Sequence, residues 1–353
     1  MIPLYVISIV AFSGKSATCV GLGRKFREDG ITVGYMKPVS PQGKDFDGVV
    51  VDEDAHFMKE VFSLLEPLDA LCPVVLTSEL MGSVLAGKKV DYVAKVKAAF
   101  EKVAAHKDVV LVEGAAGVVE GAMLKLSAYD VARLFNAKVL LVVRYADDLS
   151  MEIPLLIKSM VGEAMVGMIF NVVPRGKMEM IEEEARPYME SQGIKVFGVL
   201  PQERVLLSIS VAELAECLDG QILNSPERSD ELVENLMVGA MGVDSALDYF
   251  RRKPNKAVIT GGDRPDIQMA ALQTSTKCIV LTGNLSPSPL ILGQAEDLGV
   301  PMILVKPDTL TAVEKIERVF GKSRFHQEKK IIKFERLLEE RFDYPALYAR
   351  LEL

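Results

Sequence analysis

Lys15 stands in the run Ser13-Gly14-Lys15-Ser16, directly after an apolar stretch and directly before a helical pattern. That placing suits phosphate chemistry. A helix N-terminus presents unpaired N–H groups and the positive end of its dipole to an anion. Gly14 lets backbone approach closely, Lys15 reaches the terminal phosphates, and the Ser16 hydroxyl joins a Mg²⁺ shell. The full phosphate-binding loop wants a glycine five residues before Gly14, where this chain has Ile9. An ordinary strand-to-helix turn would use the same residues for conformation alone.

Two further sets could complete such a site. Glu113-Gly114-Ala115-Ala116-Gly117 follows the apolar run that ends at Val112. An acid at the carboxyl end of a buried parallel strand faces the crevice where such folds take ligands, and there it could hold Mg²⁺ directly or through water. Lys37-Pro38 ends another apolar run, and Asp52-Glu53-Asp54 opens a helical stretch. Lys37 could neutralise a transferring phosphoryl group while Asp54 completes the metal shell. Acids at a helix start also serve the dipole without any ligand, the simpler account for Asp52 and Glu53.

These residues depend on a scaffold that the apolar pattern predicts. Runs at Tyr5–Val10, Ile31–Met36, Val109–Val112, Lys138–Val143, Val166–Phe170 and Lys195–Val199 are continuous rather than alternating. Strands buried on both faces require that. Helical patterns such as Ser16–Asp29, closed by Gly30, and Tyr92–Ala105 lie between them. The alternation predicts an α/β fold with a doubly wound parallel sheet. A second series follows Pro201, with runs at Ala257–Thr260, Cys278–Leu281 and Met302–Val305 and helices near Pro265–Gln273, Leu290–Leu298 and Thr311–Phe320. It predicts a smaller α/β domain over 204–321 after a first domain over 1–203. The tail, 322–353, reads as an amphipathic helix with a stripe of Ile331, Ile332, Phe334, Leu337, Leu338 and Phe342. It packs on its own domain or contacts a subunit.

Bulk properties narrow the function classes. Net charge is −8, Trp is absent and aromatics are 7%, so neither nucleic acid nor an anionic membrane is an expected partner. Four cysteines without a CxxC pair and three histidines predict neither a disulfide framework nor a histidine metal site. Residues 1–12 lack a basic leader and read as an opening strand; no apolar stretch is long enough to span a membrane. A cytoplasmic protein is expected.

Taken in order, Ser13-Gly14-Lys15-Ser16, Lys37-Pro38-Val39, Asp54-Ala55, Val112-Glu113-Gly114 and Asn171 resemble dethiobiotin synthetase-like P-loop proteins. More closely, residues 1 to about 200 resemble the amino-terminal domain of long bacterial phosphate acetyltransferases. The resemblance implies ATP and Mg²⁺ as ligands. It implies Lys15 and Ser16 on phosphate and metal, Asp54 and Glu113 as acidic metal positions, Lys37 by the γ-phosphate and Asn171 near the adenine. The second half resembles the DRTGG domain through Gly262-Asp263-Arg264 and Thr282-Gly283-Asn284, with Asn284 in place of a glycine. By conformation alone, Pro265 suits a first helical position and Asp263 could cap that helix. Arg264 would bind an anion or pair with an acid across a subunit interface, so Asp263, Arg264 and Thr282 form a second candidate site.

Phosphate acetyltransferases need a further carboxyl-terminal catalytic domain beyond residue 353, so acetyl transfer is not the expected activity. The first expectation is a nucleotide-binding sensor that signals to a metabolic enzyme or within a homo-oligomer, most simply a dimer. The alternatives are an ATP-dependent carboxylate or carbamate ligase, with Lys15 and Lys37 stabilising phosphoryl charge, and an interaction scaffold without nucleotide.

Overall fold

The computed structural model describes residues 1–46, 48–320 and 325–353. The chain divides into two compact units, Met1–Gln202 with Ile331–Leu353, and Glu203–Lys330. The first unit is built on six parallel strands: β1 (Ile2–Ile7), β2 (Val33–Met36), β3 (Val109–Glu113), β4 (Lys138–Arg144), β5 (Met165–Val173) and β6 (Val196–Pro201). Their order across the sheet is β6-β5-β4-β1-β3-β2. Leu4–Ile7 and Val109–Val112 are buried at every position, as the continuous apolar runs require. The chain moves from β1 to β2, returns to β3, then crosses to β4 on the other flank of β1. Strand order therefore reverses at β1, and a crevice opens beyond the carboxyl ends of β1 and β3.

One strand differs from expectation. The apolar run suggested Tyr5–Val10, but β1 stops at Ile7, and Ile9 and Val10 belong to the loop that enters α1 (Lys15–Glu28). Apolar character alone could not separate strand from loop there. α2 spans Glu53–Val61, and Asp52 caps it by accepting from the Asp54 N–H. The helix expected at 92–105 is α3 (Tyr92–Ala104).

In the second unit α4 (Val211–Leu218) precedes a sheet of β7 (Gln221–Ile222), β8 (Asn235–Val238), β9 (Lys256–Gly261), β10 (Thr276–Thr282) and β11 (Met302–Leu304). The order is β7-β11-β10-β9-β8, parallel except for the β7 edge. Alternate residues take opposite faces. Ala257, Ile259, Cys278 and Val280 pack with Leu214 of α4 and Ile316 of α8 (Thr309–Val319). Val258, Ile279 and Leu281 pack with Phe250 of α5 (Val243–Arg251), Ile267 of α6 (Pro265–Leu272) and Ile291 of α7 (Pro289–Asp297).

The tail forms α9 (Glu328–Arg341) and α10 (Tyr344–Leu351), and from Ile331 onward it belongs to the first unit. Leu338 lies over Gly21 of α1 so closely that a Cβ there would sit 2.4 Å from its methyl carbon. Arg24 pairs with Glu335 at 3.3 Å, and the Phe26 and Tyr348 rings meet at 5.7 Å. Ile331, Phe334, Leu337, Leu338 and Phe342 are buried, whereas Ile332 faces out. The domain boundary expected at 321/322 falls outside the described residues.

Lys256 in β9 is buried, donates to the Ser275 carbonyl at 2.9 Å, and is held down to about 8 by burial. Unfolded lysines keep the proton to about 10.4. Between those values the unfolded chain binds more protons, so stability rises with pH from about 8 towards 10, and the penalty is complete below 8. Lys256→Met is expected to reduce that slope, by up to about 1 kcal/mol per pH unit, in urea unfolding curves taken across this range.

Candidate functional site

The loop 8–14 and the N-terminus of α1 form one wall of the crevice. Gly14 has φ +99°, and a Cβ there would lie 2.2 Å from the Asn171 amide nitrogen, so both conformation and space demand glycine. Phe12 (φ 53°) is also left-handed, as is Val172 (φ 57°), an uncommon state for a β-branched residue. The loop is held from behind. Asn171 Nδ2 donates to the Ser13 carbonyl at 2.8 Å, and Arg144 Nη1 donates to the Phe12 carbonyl at 2.6 Å. Thr18 Oγ1 donates to the Gly14 carbonyl at 2.9 Å. Among the described residues Ser13 Oγ is buried without a hydrogen-bond partner and no side chain caps α1.

Facing that wall is a compact charged cluster. Ser16 Oγ donates to Glu113 Oε1 at 2.8 Å, and the Tyr35 hydroxyl donates to Glu113 Oε2 at 2.9 Å. Lys37 Nζ lies 2.9 Å from Asp52 Oδ1, 2.9 Å from Asp54 Oδ2 and 3.7 Å from Glu113 Oε1. Burial alone would lower Lys37, but Asp54, Glu113 and Asp52 together hold its ammonium well above the ordinary lysine range. Glu113 is raised, first by burial and further by Asp54 and Asp52, against the opposing pull of Lys37 and the Ser16 hydroxyl. Lys15 is lowered mainly by burial, with Lys37 adding to it and Glu113 opposing. Its ammonium reaches the carbonyls of Val10 and Ala116 only at 3.3 and 3.4 Å.

The structure thus brings Ser13, Gly14, Lys15, Ser16, Lys37, Asp54, Glu113 and Asn171 to one end of the sheet. Asn171 is turned onto the loop, where its Oδ1 also accepts from the Val172 N–H. Sequence reading missed Tyr35 and the second role of Asp52. Tyr35 precedes Lys37 by two residues, so strand periodicity already put both on one face. Arg144, at the end of β4, had no local signal.

Asp263, Arg264 and Thr282 belong to the second unit. Arg264 holds Asp266 through Nε at 3.1 Å and Nη2 at 3.0 Å, and donates to the Met241 carbonyl at 3.0 Å. Thr282 and Thr309 share a hydroxyl hydrogen bond of 2.8 Å. Asp263 does not cap α6: the capping position is Arg264, without a side-chain cap, and Pro265 takes the first helical position. Asn284 is left-handed (φ 56°), a state asparagine tolerates in place of glycine.

This loop, helix and acid-ended strand match a known pattern over residues 3–209. The chain belongs to the AAA domain family. Residues 213–319 match the DRTGG domain. The fold is therefore a P-loop NTPase-like α/β unit with a smaller α/β DRTGG unit. Phosphate acetyltransferase of Nitratidesulfovibrio vulgaris is 24% identical over 370 residues, covering 99% of this chain and 51% of that protein. ATP-dependent dethiobiotin synthetase BioD of Methanococcus vannielii is 36% identical over 108 residues, 30% of this chain and 47% of that one. The chain spans about half the length of these curated relatives. A solved structure of the CBS and DRTGG domains of the regulatory region of Clostridium perfringens pyrophosphatase, complexed with the activator diadenosine tetraphosphate, is 19% identical. It covers 43% of this chain and 71% of that one, at a TM-score of 0.30. No helix among the described residues is long and apolar enough to cross a membrane.

Removing the Lys37 ammonium leaves Asp52, Asp54 and Glu113 crowded without their buried countercharge. Lys37→Met is expected to cost about 3–5 kcal/mol at neutral pH. The loss shrinks as pH falls and the carboxylates take up protons, whereas Tyr35→Phe costs about 1 kcal/mol. Chemical denaturation of the three proteins at two pH values checks this.

Proposed function

We propose that the first unit binds ATP with Mg²⁺ in the crevice beyond β1 and β3, and that the chain is a nucleotide-responsive regulator. The observation that carries this is the Ser16–Glu113 and Lys37–Asp54 network facing an uncapped helix N-terminus behind Gly14. The unpartnered Ser13 hydroxyl and the loosely held Lys15 ammonium would both gain from phosphate oxygens.

The donor set fits Mg²⁺ in type. Ser16 Oγ and the Glu113 and Asp54 carboxylates are hard oxygen ligands. Mg²⁺ commonly takes one or two carboxylates, with phosphate and water completing the shell. Among the described residues no group of three or more His, Cys, Asp or Glu side chains is arranged to hold a metal. The bound ion would neutralise phosphate charge. Lys37 would move partly from Asp54 towards the γ-phosphate, and Asn171 would keep the loop in shape rather than read the base.

In this reading the unit matched by the DRTGG domain, residues 213–319, relays the nucleotide state. A metabolic enzyme or a second copy would receive the signal. The likeness to dethiobiotin synthetase over 108 residues favours an ATP-dependent ligase as a second reading.

Calorimetric titration with ATP, with and without Mg²⁺, tests the site. Mg-dependent binding is expected, weakened at least about tenfold (about 1.4 kcal/mol) in Lys15→Ala. Absence of heat for the wild type would sink the reading. Phosphate release only on addition of a carboxylate and an amine would favour the ligase.

A further inference from the structure

Two neighbouring strand ends reach for two successive carbonyls of the loop before α1. Arg144 closes β4 and pairs in register with Asn171 of β5. Arg144 Nη1 takes the Phe12 carbonyl at 2.6 Å, and Asn171 Nδ2 takes the Ser13 carbonyl at 2.8 Å. The strand ladder continues beside them, with the Tyr145 N–H donating to the Asn171 carbonyl at 2.9 Å. Thr18 holds the next carbonyl, that of Gly14, from within α1. Each peptide is planar and trans, so fixing these oxygens also sets the directions of the Ser13, Gly14 and Lys15 N–H groups.

This is a shape the loop would not keep unaided. Phe12 is left-handed at φ 53°, and so is Val172 at φ 57°, directly after Asn171. Side chains of that size rarely adopt such backbone, and it persists only where the surroundings over-determine it. Val172 also orients the clamp, because its N–H donates to Asn171 Oδ1 at 2.9 Å. One amide atom thus meets an N–H and the other a carbonyl, which admits a single orientation of the side chain. Asn171 is buried, and its nitrogen lies 2.2 Å from where a Cβ on Gly14 would stand. Its amide is committed to the loop, on the phosphate side of the site.

We propose that Arg144 and Asn171 act as a paired clamp on this loop, setting affinity for the polyphosphate of a nucleotide and not the choice of base. Both are positioning residues, and the inference rests on the nucleotide-binding reading above. A loop that holds its binding shape for only a fraction of the time binds more weakly by that fraction, whatever the phosphates carry. The test titrates ATP, GTP and inorganic triphosphate, each with Mg²⁺, into the full chain and follows the heat. Wild type is expected to bind all three. Arg144→Met and Asn171→Ala should each weaken all three alike, by at least about fivefold, the worth of one released hydrogen bond. A loss confined to ATP in Asn171→Ala would make that residue a reader of the base and overturn the proposal. Unchanged affinities in either variant would overturn it as well. Arg144→Lys keeps the charge but ends short of the Nη1 position, so it should bind as weakly as Arg144→Met; recovery would reduce Arg144 to a general attraction for phosphate and overturn the clamp. Tm reports on folding separately, and if Asn171→Ala unfolds, the two variants at the half-buried Arg144 decide. A wild type that binds none of the ligands overturns the nucleotide reading and the clamp together. One that binds ATP but not triphosphate, or whose variants lose affinity unevenly, overturns the clamp alone.

Discussion

One buried ammonium organises the first unit's crevice. Lys37 lies at the meeting point of the β2 end, the start of α2 and the end of β3, and three carboxylates converge on it. Burying any of these charges alone would be prohibitive; the ammonium offsets part of the carboxylate charge and leaves a negative excess. The excess matters for chemistry, because it can be met by a cation arriving from outside. Asp52 links the charge cluster to the backbone, since the same carboxylate that touches Lys37 also caps α2. Helix geometry and site electrostatics are thereby one constraint.

The loop opposite is shaped by bonds to its carbonyls from β4, β5 and α1. With those oxygens engaged, the loop is fixed at Phe12, Ser13 and Gly14. The cost shows in backbone conformation: Phe12 and Val172 are both left-handed, and such strain persists only where surrounding contacts over-determine it. Ile9, in place of a glycine, is compatible with this loop because the tight turn is made further along, at Phe12 and Gly14.

Much of this arrangement was legible from residue types. Continuous apolar runs located the parallel strands, and their carboxyl ends located Lys37 and Glu113, whereas Asn171 was singled out by the family resemblance alone. What stayed hidden was long-range. That Arg144 reaches Phe12, or that Asn171 turns onto Ser13 rather than outward, depends on strand order, which no local pattern records. The apolar Ile9 and Val10 disguised a loop as strand. Asp263 looked like a cap because its type and spacing suited one, yet the turn places Arg264 at that position. The tail's stripe announced burial without saying against what; the answer, α1, lies some three hundred residues earlier.

That last contact has a bearing on how the protein is made. The first unit is discontinuous in sequence: residues 1–202 supply its sheet, and residues from 331 onward supply the cover for one face of α1. On a ribosome the sheet emerges first, and the groove at Gly21 must wait, with its apolar floor exposed, while the whole DRTGG unit is synthesised. The second unit is local in sequence and is free to fold during that interval. The packing of α1 is therefore completed only after the second unit has been synthesised, so the first unit begins long before it can finish.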